Sequence, residues 1–473
     1  MSERKPVIVI DLDGTLIKTD LLIESFLLMI KQNPFLAFAA LFWLFKGKAY
    51  MKREIARRVD VPVDQLPYNA EVIAFIEQKK QQGHRIALAT ASYKRFANAV
   101  AQHVGLFDDV FATDGETNLS GSKKRAALNA AYGENKYCYA GNATVDCKVW
   151  QDCDKAIVVG DNRLKVKAQS VCEVDTHIAV ASASPRIWLK ALRVHQWVKN
   201  GLIFVPLLAA HKFTEIDLVV LCLGAFLAFS LCASSVYLLN DLLDLNDDRR
   251  HKTKCNRPFA AGTLNLLYGL LLAPLLLVAA FVLSLFISTD FVIVLVCYYV
   301  LTFAYSFVLK RIVLVDVITL AGLYTIRIIA GSAAISVVLS FWLLAFSVFV
   351  FLSLALIKRY TELRALQEKS VQKTLGRGYH TDDIELLSSL GGSSGYISVL
   401  VLALYINSND VKIMYDQPMI MWPICLVMLF WISRVWIVAH RGQMHDDPIV
   451  FALKDKVSLL CGAIVAGFML VAV

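Results

Sequence analysis

Two acidic stretches have the residue types and spacing to do chemistry. Residues 240–248 read Asn-Asp-Leu-Leu-Asp-Leu-Asn-Asp-Asp and directly follow the uncharged apolar run 218–239. That run is long enough to span a bilayer as a helix. If the helix continues, Asn240 or Asp241, Asp244 and Asp248 fall three or four residues apart and share a face. Carboxylates so close repel one another and call for a compensating cation. A hard divalent ion, Mg2+ first, held by carboxylates and the oxygens of a phosphorylated substrate meets that need. The plainer alternative is a solvated acidic loop at the membrane surface. The second stretch is Asp11-Leu12-Asp13-Gly14-Thr15-Leu16, at the end of the short apolar run 7–10. A buried parallel strand that delivers two aspartates to its C-terminal loop is a common site geometry in open α/β sheets.

Composition indicates two unlike parts to position these stretches. The 473 residues are 57% hydrophobic and 18% charged, with a mean hydropathy of +0.56. That is too apolar for a soluble protein and too charged for membrane spans alone. The net charge of +9 suits basic loops beside an anionic leaflet and requires no nucleic acid. Ten cysteines occur without CxxC or Cys/His pairing, so neither a zinc site nor a disulfide framework is indicated. The first six residues lead straight into the first apolar strand, without the pattern of a signal peptide.

In the first part, residues 85–89 form a second strand-like run ending at Thr90-Ala91-Ser92. Lys123 and Lys124 follow Gly121 at the start of a helical stretch. Residues 137–140 precede Gly141-Asn142-Ala143-Thr144-Val145-Asp146, and 156–159 close the series. In this order the motifs resemble the haloacid dehalogenase (HAD) superfamily of phosphohydrolases. The resemblance implies that Asp11 is a nucleophile forming an aspartyl-phosphate and Asp13 the general acid/base. It also implies that Thr90 holds a phosphoryl oxygen, that Lys124 (or Lys123) neutralises charge, and that Asp11, Asp13 and Asp146 hold Mg2+. A carboxylate attacks phosphorus only when its own charge and that of the phosphate are offset, which such a set provides. One departure stands out. The last motif normally offers two acids, as GDxxxD, whereas Asn142 replaces the first here. An amide oxygen still ligates Mg2+, but more weakly; the alternative is a HAD scaffold kept for folding or regulation. Residues 26–50, rich in Phe, with Trp43, and carrying Lys31, Lys46 and Lys48, are expected to form a helical cap. Its aromatic face is suited to lie on a membrane surface.

Beyond a small-residue linker at 181–185, apolar runs recur. Nine spans are expected, at 196–212, 218–239, 265–287, 290–309, 313–335, 337–357, 393–408, 418–439 and 455–473. Arg249, Arg250, His251, Lys252, Lys254, Lys310, Arg311, Lys358, Arg359, Arg364, His440, Arg441 and Lys454 all fall in alternate loops. The other loops are poor in basic residues apart from Lys212 and Lys412. The positive-inside rule puts the N-terminal domain and the basic loops in the cytoplasm of a bacterial inner-membrane protein, with the C-terminus outside.

The pattern NDxxDxxxD followed by RPxAxG, at Arg257 to Gly262, resembles the UbiA superfamily of intramembrane transferases acting on polyprenyl substrates. For Asn240, Asp241, Asp244 and Asp248 it implies Mg2+-mediated diphosphate binding, with Asp241 and Asp244 at the catalytic centre. Aromatic prenyltransferases of this superfamily carry a second motif, DxxxD. Here that region offers Tyr305, Lys310, a single acid at Asp316 (a further metal candidate), and Arg327. Asp316 and Arg327 are eleven residues apart, about 16 Å along a helix, so they cannot pair directly. Arg327 therefore needs another partner, either a phosphate or carbonyls of a broken helix. With Lys358-Arg359-Tyr360-Thr361-Glu362-Leu363, Arg377, and Trp197, Lys199 and Asn200 in the first span, the sequence looks most like the decaprenyl-phosphate phosphoribosyltransferase branch. That branch transfers phosphoribose from phosphoribosyl pyrophosphate to a polyprenyl phosphate. Such substrates bring more negative charge than a prenyl diphosphate and a phenol. The cationic set Lys199, Arg257, Lys310, Arg327, Lys358, Arg359 and Arg377 is the expected answer.

The fold class expected is thus two-part: an α/β HAD-like Rossmannoid domain at 1–178 with a helical cap at about 17–80, a linker at 179–190, and an all-α polytopic membrane bundle at 191–473. The function expected is Mg2+-dependent phosphoribosyl transfer to a polyprenyl lipid in the bilayer, with a HAD domain that dephosphorylates the product. Prenyl transfer to an aromatic or other small acceptor is the alternative. A transporter or lipid-binding scaffold, the non-enzymatic class, fits intramembrane charge but not metal-ligand spacing at a helix end.

Overall fold

The computed structural model describes residues 5–180, 183–368, 377–408, 411, 415–444 and 447–472. Part of the expected 181–185 linker, Lys412 and the last residue of the final expected span lie outside the described residues. The chain forms two compact units. One comprises Met1–Leu192 with Tyr237–Ala273, and the other Arg193–Val236 with Pro274–Val473. The acidic stretch is thus grouped with the N-terminal residues.

The first unit holds a six-stranded parallel sheet: β1 (Val7–Ile10), β2 (Ile86–Tyr93), β3 (Asp109–Thr113), β4 (Tyr137–Gly141), β5 (Ala156–Gly160) and β6 (Val174–Ala179), in the order β3-β2-β1-β4-β5-β6. β1 is central, with Ile8 opposite Ile86 of β2 and Cys138 of β4. Its run is apolar at every position because both faces are covered: Ile8 and Ile10 enter one core and Val9 the other. The carboxyl ends of β1, β2 and β4 are therefore neighbours, and the motifs that follow them are brought together.

Between β1 and β2 the cap consists of α1 (Leu21–Gln32), α2 (Leu36–Phe45) and α3 (Lys48–Ala56), followed by α4 (Ala70–Gln81). Asp20 caps α1 by accepting from the Ile23 N–H at 3.0 Å, a contact typical of Asp at a helix start. Pro34 separates α1 from α2, and Gly47, with φ +108°, separates α2 from α3.

Among the described residues, seven helices are long and apolar enough to cross a membrane: Ile216–Leu243, Leu266–Ser284, Thr289–Phe307, Val315–Ile335, Phe341–Gln367, Thr381–Ile406 and Pro418–His440. The pair Pro448–Lys454 and Lys456–Ala472, bent by 78°, makes up to eight. The expected count of nine is corrected at its first member. Residues 196–212 form no membrane-length helix but a 3-10 segment, Val194–Phe204, and a short helix, Val205–Ala209. Lys199 and Asn200 are buried there, and polar partners rather than periodicity fix that stretch. A second difference concerns 337–357, whose helix continues to Gln367. Lys358, Arg359 and Arg364, expected in a loop, therefore lie on helix.

Candidate active sites

At the carboxyl end of the sheet, the buried Lys124 ammonium donates to Asp11 Oδ1 and to the Tyr139 hydroxyl, each at 2.8 Å. Lys123 is exposed, so Lys124 is the lysine of the site. Asp13 Oδ1 accepts from the Leu21 N–H at 2.9 Å, while its Oδ2 accepts from the hydroxyls of Thr90 at 3.1 Å and Ser92 at 2.7 Å. Asp146 faces inward too. Its Oδ2 accepts from the backbone N–H groups of Asn142 and Ala143, and its Oδ1 from the Tyr139 hydroxyl. Asn142 Oδ1 accepts from the Thr15 hydroxyl at 3.2 Å. Gly14, at φ +76°, is required there, because a Cβ would lie 2.0 Å from Asn142 Nδ2.

These groups border a cavity of about 150 Å³ whose lining includes Asp11, Asp13, Asp146 and Lys124, together with Asp20 and Lys52 from the cap. The sequence does not single out Asp20, Lys52, Ser92 or Tyr139 as site residues, although Ser92 and Tyr139 stand within the runs 90–92 and 137–140. Lys52 donates to the Ala91 carbonyl at 2.7 Å and Asn118 Oδ1 at 2.8 Å, and burial lowers its pKa. Burial pushes the Asp11 carboxyl up to about 7, with Lys124 opposing and Asp146 reinforcing the shift. Burial, with the charge of Asp13, raises Asp20 to about 6. The site is therefore short of positive charge, and its hard oxygen donors fit Mg2+.

The acidic stretch keeps helical hydrogen bonding past Leu243, with Asp244 N–H donating to the Asn240 carbonyl and Asp248 N–H to that of Asp244. The expected shared face is present in part. Asp241 and Asp248 are buried and share one guanidinium nitrogen of Arg257, at 3.0 and 2.5 Å. Burial raises the Asp248 pKa, against the pull of Arg257. Asp244 turns to a different cation, Lys31 of α1, which also holds Asp247, both at 2.8 Å. Burial disfavours the charged lysine, but the hydrogen bonds it donates to Asp244 and Asp247 outweigh it and raise its pKa. Arg249 completes the attachment. Its two terminal nitrogens meet Glu24 of α1 at 3.0 and 2.6 Å, its Nε donates to the Ala260 carbonyl, and both charged side chains are nearly inaccessible. Gly262, at φ +68°, packs so closely that a Cβ would lie 2.7 Å from the Lys18 carbonyl oxygen. No group of three or more His, Cys, Asp or Glu suited to hold a metal is gathered among the described residues. The fit of Mg2+ rests instead on the donor set: Arg257 marks a cation position between two carboxylates that are otherwise mutually repulsive.

In the second unit, Asp316 is wholly buried and both its oxygens accept from Arg359; Tyr305 donates to Oδ1 at 2.7 Å. Arg359 and Arg377 both pair with Glu362. Lys199 and Lys358 converge on Asp447, at 2.9 and 3.0 Å, and hold its carboxyl well below the usual range although burial would raise it. Asp447 carried no signal in the sequence, because its partners lie far away in the chain. Arg327 finds protein partners. Its Nε donates to Asn200 Oδ1 at 2.9 Å and a terminal nitrogen donates to the Leu323 carbonyl, while its guanidinium lies 5.2 to 5.7 Å from the rings of Tyr298, Tyr324 and Phe229. The carbonyl it meets belongs to its own continuous helix, Val315–Ile335, and not to a broken one. Lys310 sits in the short turn Leu309–Arg311.

Comparison with known proteins matches residues 202–451, more than half of the chain, to the UbiA prenyltransferase family. The chain belongs to that family. It is an enzyme of the UbiA transferases, and residues 8–149 match the haloacid dehalogenase-like hydrolases, so it also carries an N-terminal HAD-like domain. The uncharacterized protein y4nM of Sinorhizobium fredii is 35% identical over 469 residues, 98% of this chain and 90% of its own length. Nodulation protein NoeC of Azorhizobium caulinodans is 35% identical over 58% of this chain and 89% of its own. Decaprenyl-phosphate phosphoribosyltransferase of Mycolicibacterium smegmatis is 31% identical over 57% of this chain and 86% of its own. The similarity to y4nM thus runs through both parts of this chain.

Proposed function

We propose that this enzyme transfers phosphoribose from phosphoribosyl pyrophosphate to a polyprenyl phosphate, and that its HAD domain then removes the 5-phosphate from the lipid product. A lipid phosphate oxygen attacks the anomeric carbon of the donor, the bond from that carbon to the diphosphate breaks, and pyrophosphate leaves. Mg2+ bound by Asp241, Asp244 and Asp248 would offset the charge of the leaving pyrophosphate. Asn240 and Arg257 border that set, and the second unit has its own polar and cationic groups in Lys199, Tyr305, Lys310, Lys358, Arg359 and Arg377. The observation that carries this reading over prenyl transfer is the state of Asp316. Where a second acidic pair would hold a second metal, the single acid has both oxygens committed to Arg359 and Tyr305. The similarity to decaprenyl-phosphate phosphoribosyltransferases supports it.

In the HAD domain, Asp11 attacks phosphorus and the bond to the ribose 5-oxygen breaks as Asp13 gives that oxygen a proton. Water then releases phosphate from Asp11, with Asp13 as base. Thr90 and Ser92 orient Asp13, and Lys124 holds Asp11 and neutralises phosphate charge. The test is phosphate release from the phosphorylated lipid product, with Mg2+, by wild type and Asp11→Asn. Release by the wild type alone supports the second step, and equal release by both removes it.

The ion pairs of the first unit support one membrane orientation. Lys31 and Glu24 bind the acidic stretch, so the HAD domain lies on the side where helix Ile216–Leu243 ends. The basic loops favour the cytoplasmic face of a bacterial membrane for that side.

A further inference from the structure

α2 is apolar on both sides. Ala40 is buried, and Leu36 and Trp43 pack against the soluble core. On the other side Phe38, Leu41, Phe42 and Phe45 recur at i, i+3, i+4 and i+7, all exposed, Phe45 at 91%. That is a continuous aromatic and aliphatic stripe of a kind that water-facing domains rarely leave open. Its surroundings are cationic: residues 25–53 contain no Asp or Glu, while Lys46, Lys48 and Arg53 stand at or beyond the end of α2. Lys46 lies over the rings of Phe42 and Tyr50.

The first unit also shows where this stripe is held. Lys31, near the end of α1, is 2.8 Å from Asp244, the residue that follows the membrane-length helix Ile216–Leu243. Glu24, halfway along α1, is clamped to Arg249. α2 begins five residues after Lys31, a reach of at most about 17 Å. An apolar stripe flanked by lysines is therefore tethered at the mouth of a membrane-crossing helix, where lipid headgroups lie. Aromatic side chains with lysines suit that depth, and an anionic leaflet attracts the charge.

We propose that α2 is an interfacial helix, with Phe38, Leu41, Phe42 and Phe45 set into the bilayer surface, and that the HAD cavity therefore takes a phosphate monoester carried on a membrane lipid rather than a soluble metabolite. The second clause rests on the phosphatase reading above. The cavity wall includes Asp20 and Leu22, at the start of the same α1 whose other end grips Asp244, so substrate reaches it along a wall fixed at the membrane.

The experiment uses the full chain in nanodiscs containing anionic phosphatidylglycerol and a phospholipid with a photoactivated diazirine in its acyl chain, with adducts mapped by mass spectrometry. Adducts on residues 35–45 are expected at several times the yield on α4, a helix of the same unit. Equal yields, or cross-links to a second copy in their place, overturn the interfacial helix. The Phe38→Glu/Phe42→Glu/Phe45→Glu variant is then compared with wild type on lipid-linked ribose 5-phosphate in the nanodisc and on p-nitrophenyl phosphate in solution. A loss of at least about tenfold on the lipid alone is expected; equal rates on the lipid overturn the substrate class. Lipid adducts on a wild type that hydrolyses neither substrate remove the phosphatase reading and leave the interfacial helix standing.

Discussion

Asp11 and Asp316 are both buried carboxylates beside a cation, yet they are prepared for opposite tasks. Asp11 has one lysine bond and borders a cavity, with Asp13 and Asp146 close enough to add to its raised pKa. Asp316 has both oxygens occupied by Arg359 and Tyr305. A carboxylate left short of positive charge, with space in front of it, is poised to accept a metal or a phosphorus atom. One closed in a bidentate pair is poised to hold an arginine still. The same contrast separates the two aspartate regions of the membrane enzyme: Asp241 and Asp248 share a partly exposed Arg257, whereas the later acid is sealed. This contrast is what supports the proposed phosphoribosyl transfer.

The strongest test of the comparison is to remove the open acid. Asp11→Asn is expected to cut phosphate release on the order of 10³-fold and to leave transfer unchanged, as measured by radiolabel in lipid. Transfer should fail instead in Asp241→Ala or Asp244→Ala, by at least about 10²-fold, with phosphatase activity retained. Retained transfer in either variant would remove the Mg2+ assignment.

The closed pair is expected to show in stability. Arg359→Ala strands Asp316 in the interior and should cost about 3–5 kcal/mol, read as unfolding in detergent, while Arg359→Ala with Asp316→Asn should recover a large part. Equal stability of the single and double variants would mean that Asp316 is not sealed. Smaller effects sharpen the open site. Asn142→Asp restores the missing acid and should lower the Mg2+ concentration needed for hydrolysis by about 3- to 10-fold. Asp20→Asn keeps the helix cap. Because folding raises the Asp20 pKa from its ordinary 3.8 to about 6, the folded state binds the extra proton, and stability falls as pH rises from about 4 to 6. The variant should flatten that slope and gain on the order of 1 kcal/mol at pH 7.

Local patterns were legible in the sequence where one element carries the chemistry. The strand-end aspartates, Thr90, Lys124 and the acidic helix end all depend on spacing along the chain, and the structure brings Asp11, Asp13, Lys124 and Asp146 to one cavity, with Thr90 buried behind Asp13. What spacing does not encode is pairing across the chain. Asp447 between Lys199 and Lys358, Glu24 against Arg249, and Lys31 on Asp244 join residues 89 to 248 positions apart. For Arg327 spacing excluded one partner, Asp316, without naming Asn200. The stretch 196–212 misled for a related reason. Its apolar content suggested an ordinary span, while Lys199 and Asn200 bind partners that a regular helix of that length would not place.

Donor discrimination tests the central claim most directly. Wild type in nanodiscs with Mg2+ receives labelled phosphoribosyl pyrophosphate with polyprenyl phosphate, and separately a labelled polyprenyl diphosphate with 4-hydroxybenzoate. The account predicts label passing from the ribose donor into lipid and none reaching the aromatic acid. Transfer only in the second mixture would contradict it, and the sealed Asp316 would then belong to a prenyltransferase.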